Sequence, residues 1–522
     1  MTTNKKMNFW GFFTLTAAML MSADEYPAFA QSGLLAVVCL FLAGLIWFLP
    51  VALCAAELAT IDGNNEGGVY TWVKNVLGAR WGFVAVFFQW LQITVNFITM
   101  IYFIIGSLSY VLKWDALNTN PWLKWLCFLL IYWGMTAWQL GGVSNTEKIV
   151  NISFTIGIVF PSLVLLVLGL IYLLGSGQVA FNTNWASNWQ TLTQHFSIAT
   201  IVPYILAFTG IEASAAYITD LKNPRKNYPL ELLTLVIFAI VFDSLGGLSV
   251  AAVVPVANLT LNQGVIQAVG QMFARTIPLL HWGVNVIGLL MVLGMVGEIS
   301  SWIIGPVKSL FVTAEDGILP HYFLHVNRHD VPVRLILVQG LIVSVISFLL
   351  TVVFGGNNGA YQMAMSLTVM LYLVTYILIF VAYLRQIKQK NKPERTFKVP
   401  GGKIGQTLVA TIGLISSLIV VGSTFIPGSN FKAISKLSYL LIMIAFLVVI
   451  LAITLLIYRL GTQRPKKTDY NWKIRHRKVE DVQRTVFPQG RYQHELKYIE
   501  KSLDDEKQKV THYFSPSSKR DE

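Results

Sequence analysis

The stretch Met21-Ser-Ala-Asp-Glu-Tyr-Pro27 lies in the middle of the first long apolar run of the chain. It does not suit a continuous membrane helix. Pro27 has no N–H and its ring crowds the carbonyl four residues back, which kinks or breaks a helix. Asp24 and Glu25 are carboxylates at membrane depth, costly there unless paired, hydrated or protonated. A second interruption, Ala207-Phe-Thr-Gly-Ile-Glu-Ala-Ser214, falls in the sixth apolar run, five spans later and therefore inverted in the membrane. Interrupted helices at matching positions of two inverted halves point to the binding site of a secondary transporter. The plainer alternative is that Pro27 and Gly210 merely kink packed helices, since both residue types are frequent in membrane spans. Two matching breaks, each with an acidic residue, favour the binding site. The inversion rests on this spacing, with no residue-by-residue internal repeat to support it.

Working outward, the whole chain reads as an all-α membrane protein. It has 522 residues, 55% hydrophobic and only 12% charged, where soluble domains carry about 25% charged residues. Apolar runs of spanning length recur almost to the end, too long and too continuous for barrel strands. Spans are expected near 10–31, 34–57, 82–112, 122–141, 149–174, 199–219, 230–254, 282–308, 333–354, 360–384, 405–427 and 438–459. Residues 1–460 thus form one transporter domain, and 461–522 form a tail of mixed charge with little hydrophobic periodicity. The net charge of +13 concentrates in loops on one side and in the tail. That pattern is a topology signal, with both termini in the cytoplasm, and gives no basis for a nucleic-acid surface.

Smaller features fit the same picture. Cys39, Cys54 and Cys127 all lie in spans, with neither zinc spacing nor a disulfide framework. The first residues lack a small-residue cleavage site, so the first span reads as a retained helix. Trp10, Trp47, Trp81, Trp114, Trp122 and Trp282 fall near span ends, as interface anchors do. Asp62-Gly-Asn-Asn-Glu-Gly-Gly68 lacks the spacing and the Lys-Ser/Thr pair of a phosphate loop. Nothing in the sequence calls for a cofactor.

The chemistry should lie with polar groups at depth. Glu25, Glu212 and Glu298 are the first candidates. Glu57 lies near the cytoplasmic end of its span and can simply reach water; Asp243 lies within a span and has no assigned role. Glu212 follows the Gly210 break and could trade a proton; its bland alternative is a hydrogen bond bracing the broken helix. Glu298 and Trp302 share one face of the eighth helix and together offer an acceptor for an ammonium group and an aromatic wall; interhelical packing is the alternative. Tyr372 and Tyr376 repeat that spacing on the tenth helix, where aromatic pairs are more often packing. Tyr361 and Tyr383 read as interfacial. A zwitterionic amino acid fits such a site. Its carboxylate would accept from backbone amides near Thr209, Gly210 and Ile211, and its ammonium would meet freed carbonyls near Ser22, Ala23 and Asp24. No Lys or Arg lies near a span centre, which favours substrates of little net charge.

Several segments together resemble bacterial glutamate/GABA antiporters of the amino acid–polyamine–organocation superfamily. They are Gly11-Phe-Phe13, Glu25-Tyr-Pro27, Trp47-Phe-Leu-Pro-Val-Ala-Leu-Cys-Ala-Ala-Glu57, Glu66-Gly-Gly-Val69, Gly210-Ile-Glu-Ala-Ser214, Glu298-Ile-Ser-Ser-Trp-Ile-Ile-Gly-Pro306 and Arg395-Thr-Phe-Lys-Val-Pro-Gly-Gly402. The resemblance covers the membrane part and, more loosely, the tail. It implies a twelve-helix fold of 5+5 inverted repeats, about 10–174 and 199–384, with discontinuous helices 1 and 6 and accessory helices over 405–459. It implies that the chain is no enzyme, and that it exchanges external glutamate for internal GABA across the bacterial inner membrane. Cytoplasmic glutamate decarboxylase would be its functional partner in acid resistance. Glu212, Glu298, Trp302, Tyr372 and Tyr376 match positions associated with the substrate pathway. Where the best-known relative has a Tyr just before Glu-Tyr-Pro, this chain has Asp24.

The family also closes its cytoplasmic path near neutral pH with a C-terminal plug. Phe487-Pro-Gln-Gly-Arg-Tyr-Gln-His494 resembles that plug, with Gln489 in place of one Arg. His476, Arg491, His494 and His512 are its candidate pH-gating residues, the histidines gaining charge as pH falls through about 6.5. The alternative is a disordered basic tail near anionic lipid. Rival functions are an exchanger or proton-coupled symporter for another amino acid, and a transporter-like sensor. Monomer and homodimer both remain open.

Overall fold

A computed structural model describes residues 8–61, 68–141, 152–176, 178–194, 197–212, 221–329, 331–354, 357–389, 395, 397–428 and 434–462. Regular structure among them is helical, apart from one isolated bridge between Ile61 and Arg395. The first apolar run is split into α1 (Phe9–Leu20) and α2 (Tyr26–Ala30). Then come α3 (Leu35–Ala59), the short α4 (Val69–Leu77), α5 (Ala79–Val111) and α6 (Pro121–Gln139). α7 (Ile152–Gly175) and the polar α8 (Trp185–Gln194) lead to α9 (Val202–Leu206), the first piece of the second interrupted run. The remainder comprises α10 (Pro224–Val253), α11 (Gly264–Thr276) and α12 (Gly283–Glu315). It closes with α13 (Val333–Val353), α14 (Asn357–Lys388), α15 (Gly402–Thr424) and α16 (Lys436–Thr462).

Nine of the described helices are long and apolar enough to cross a membrane. α6, with 19 residues, and the first interrupted run add two more of the expected crossings; the second interrupted run is described as far as Glu212. Their order is the expected one, and the observed ends differ from the sequence reading by a few residues.

The bundle is built around α5, whose apolar window is 89% buried against 11% for α16. A helix hydrophobic all round belongs either in a protein core or against lipid. α5 takes the first place and α16 the second. Close approach at the α7–α12 crossing depends on two glycines. A Cβ at Gly157 would fall 2.3 Å from the Gly294 Cα, and one at Gly294 2.4 Å from the Gly157 carbonyl carbon. Small residues let membrane helices touch backbone to backbone. This contact also fixes α12 one turn before Glu298.

Four sequence expectations are corrected by packing. Trp10, Trp81, Trp114, Trp122 and Trp282 are exposed near helix ends, but Trp47 is buried. Its indole N–H donates to Ser417 Oγ at 2.9 Å, and its ring meets Tyr376 edge-on at 5.0 Å. Tyr361 and Tyr383 are buried rather than interfacial: Tyr361 bonds to Asp24, and Tyr383 bonds to Glu57. Glu57 does not reach water. It is fully buried and paired with Arg395 at 2.6 Å. Each correction has one cause, a partner distant in sequence that makes depth affordable for a polar group. The three cysteines are free.

Candidate functional site

The first interruption begins where α1 ends. Met21 and Ser22 have extended backbones (φ −88°, ψ 120° and φ −135°, ψ 132°). A single 3₁₀ turn, Ala23–Glu25, follows, and α2 starts with Pro27 in its first turn. Pro fits there because the first helical N–H groups lack intrahelical partners anyway. In the second interruption α9 stops at Leu206, and Thr209 Oγ1 donates to the Leu206 carbonyl at 2.8 Å. Gly210 then takes φ +104° before the chain turns helical again at Ile211. Only glycine adopts that backbone without strain.

Between the two breaks lies a cavity of about 40 Å³, room for a few waters. Of the residues anticipated for substrate binding, Ser22, Asp24, Glu25, Thr209, Gly210, Glu298, Trp302 and Tyr372 line it. Ala23, Ile211, Glu212 and Tyr376 are buried behind or beside the wall. His476, Arg491, His494 and His512 lie outside the described residues.

The acidic groups are held in a specific way. Ser22 Oγ lies 2.5 Å from Asp24 Oδ1 and 3.1 Å from Glu298 Oε2. The Tyr361 hydroxyl lies 3.0 Å from the Asp24 carbonyl and 3.2 Å from its Oδ2. Among the described residues the wall thus carries Asp24, Glu25 and Glu298 and no Lys or Arg. Asp243, for which the sequence suggested no role, is buried on α10 and lies within electrostatic reach of Glu25. One turn along the same face, Gly246 takes the Tyr26 ring against its backbone, so α10 packs directly on the first break.

Glu212 is the hub of a second network. Its carboxylate accepts from Gln89 Nε2 at 2.9 Å, from Tyr376 OH at 2.6 Å and from Tyr372 OH. Tyr376 OH in turn accepts from the Gly210 N–H at 3.0 Å. The two tyrosine rings lie 4.8 Å apart on the face of α14 that their spacing implied. One carboxylate therefore joins α5, α14 and the second break.

The sequence reading overlooked the contribution of α5. Gln92, Ile93, Asn96 and Met100 line the cavity, and Gln89 holds Glu212. Gln89, Gln92 and Asn96 recur at i, i+3 and i+7, one face of a helix. A polar stripe in an otherwise apolar span is the signal that would have found them.

Comparison with known proteins shows the family. The amino acid permease family matches residues 7–453. Two proteins named glutamate/gamma-aminobutyrate antiporter, from Lactococcus lactis subsp. lactis and subsp. cremoris, are each 43% identical over 94% of this chain and 97% of their own length. An uncharacterized transporter of Legionella pneumophila is 32% identical over 82% of this chain and 91% of its own. These relatives are transporters and not enzymes. With its broken helices, its buried site and this match, the chain belongs to the amino acid permease family, as a multi-pass membrane transporter of the amino acid–polyamine–organocation superfamily.

Proposed function

We propose that the chain exchanges extracellular glutamate for intracellular GABA by alternating access, across a bacterial inner membrane with both termini in the cytoplasm. The observation that carries this is a cavity at two helix breaks whose wall, among the described residues, offers carboxylates, hydroxyls and backbone groups but no fixed cation. Such a wall suits an amino acid whose own charges nearly cancel, since an unpaired anion would find no counter-charge. The names of the two Lactococcus relatives supply the substrate pair. Decarboxylating glutamate replaces a carboxylate with a C–H bond and consumes a cytoplasmic proton. Exporting the product in exchange for new substrate would therefore support acid resistance, with cytoplasmic glutamate decarboxylase as the functional partner.

Liposomes loaded with GABA are expected to take up labelled glutamate faster than empty ones at pH about 5 to 7, a range bracketing the ordinary histidine pKa. Equal rates from empty liposomes would reject obligate exchange. Absence of uptake with any counter-substrate would favour a sensor. We extend the proposal to residues 461–522 as a cytoplasmic plug that leaves as pH falls. Truncation after Thr462 should then carry activity toward neutral pH, and an unchanged pH profile would rule the plug out.

A further inference from the structure

A groove at the start of α5 and the end of α16 is chemically unlike the substrate cavity. It measures about 520 Å³, against about 40 Å³ for the cavity at the helix breaks, and falls in the size range of small-ligand sites. Its wall has two characters. Arg80, Arg459, Tyr458 and Thr462 bring polar groups, and Leu455 and Leu456 bring apolar surface. Arg80 comes from the first turn of α5 and Arg459 from the last turn of α16, so distant parts of the chain put like charges on one groove. Neither guanidinium has a hydrogen-bond or ion-pair partner among the described residues; that of Arg80 lies 5.5 Å from the Trp81 ring. Two cations on one wall repel each other, and an anion in the groove offsets that cost.

The position says which anion. α16 is the least buried of the nine spanning helices, with only 11% of its apolar window covered, and Leu456 and Leu460 are exposed beside Arg459. Trp81, next to Arg80, is exposed at its helix end, where indoles anchor at headgroup level. This places the groove level with lipid phosphates, with hydrocarbon alongside. A free phosphate would gain nothing from the two leucines, whereas an acyl chain would cover them. Guanidinium groups grip phosphate oxygens in a bidentate fork, and basic pockets between membrane helices on the cytoplasmic side take anionic headgroups.

We propose that this groove binds an anionic phospholipid, whose phosphate is held by Arg80 and Arg459 and whose acyl chain lies on Leu455 and Leu456. The lipid joins the end of α16 to the start of α5, the helix that brings Gln92 and Asn96 to the substrate cavity. It stabilises the folded bundle by mass action without touching the substrate, so the site stands apart from the exchange reading.

Native mass spectrometry of the purified full chain tests this by measuring lipid retained from mixed micelles. The probes are phosphatidylglycerol and phosphatidylcholine with the same acyl chains; in the second, choline neutralises the phosphate. The wild type is expected to retain phosphatidylglycerol about tenfold better or more, and to melt at a higher temperature when it is supplied. Arg80→Gln and Arg459→Gln should each weaken that retention about fivefold or more. Arg328→Gln, which removes one exposed charge outside the groove, should retain the lipid as the wild type does. Equal retention of the two lipids overturns the proposal, and so does a loss in Arg328→Gln that matches the loss in Arg80→Gln. Inorganic phosphate that displaces the lipid and protects the lipid-free protein equally well would replace the lipid site with a free-phosphate site. Lipid retention that appears only after truncation at Thr462 would assign the groove to residues 463–522 and likewise overturn the proposal. The wild-type ranking and the phosphate competition decide even if a glutamine variant fails to fold.

Discussion

Replacing Glu212 with leucine is expected to leave a protein that inserts but exchanges poorly, with its melting temperature lowered by several degrees. The substitution orphans three donors at once, Gln89 Nε2 and the hydroxyls of Tyr372 and Tyr376. Interhelical hydrogen bonds in a membrane bundle average about 0.6 kcal/mol, because the unfolded chain in lipid finds other partners. Three such losses therefore cost about 2 kcal/mol at the low end. Tyr376→Phe removes one donor to Glu212 and should cost less, about 0.6 to 1.7 kcal/mol. It also releases the Gly210 N–H, so its effect on transport should exceed its effect on stability. A kinetic split tests the position of Glu212 behind the wall. Glu212→Gln is expected mainly to lower the maximal rate, and Glu298→Gln, on the wall, mainly to raise KM. A Glu212→Leu variant with unchanged melting and unchanged rate would remove the residue from any positioning role.

The breaks were legible because they violate a hard constraint. Hydrocarbon tolerates neither unpaired backbone nor bare charge, so Pro27, Gly210 and the acidic residues beside them announce an exception wherever they fall. Glu298 stood out as a carboxylate at depth and Trp302 joined it by helical spacing; both line the cavity. What stayed hidden was pairing. Tyr361 looked interfacial because nothing in its own neighbourhood says that its hydroxyl meets Asp24 in the first break. Trp47 looked like an anchor because Ser417, its acceptor, lies on a helix near the other end of the chain.

The polar stripe of α5 is a different case. Gln89, Gln92 and Asn96 obey the same rule that exposed the carboxylates, only with a smaller penalty, since a neutral amide costs less at depth than a charge. Their one-face spacing was available in the sequence. The destination of that face was not, because three elements from distant parts of the chain meet there. A buried polar residue thus reveals that a partner exists before it reveals which one.

Glu57 shows how strong such a hidden pairing can be, and its removal is the second large effect expected. The carboxylate accepts from Arg395 Nη1 at 2.6 Å, Tyr383 OH at 2.6 Å, the Val399 N–H at 2.7 Å and Gln406 Nε2 at 3.0 Å. One turn of backbone further on, Thr60 Oγ1 accepts from the Phe397 N–H at 3.3 Å. The end of α3 is thereby fastened to the loop before α15 and to α14. Arg395 is 6% exposed and Glu57 is not exposed at all, so solvent does not replace a lost partner. Breaking one half of a buried ion pair costs about 3 to 5 kcal/mol, mostly from the charge left alone. Glu57→Leu strands Arg395 and should lie near the upper end. Arg395→Met leaves Glu57 with Tyr383, Val399 and Gln406, and should cost less. The double variant is expected to recover part of the loss, because no lone charge remains. Melting of the four proteins at low and high salt gives the coupling directly. The buried pair should respond little to salt, whereas strictly additive losses would show that Glu57 and Arg395 act on stability independently.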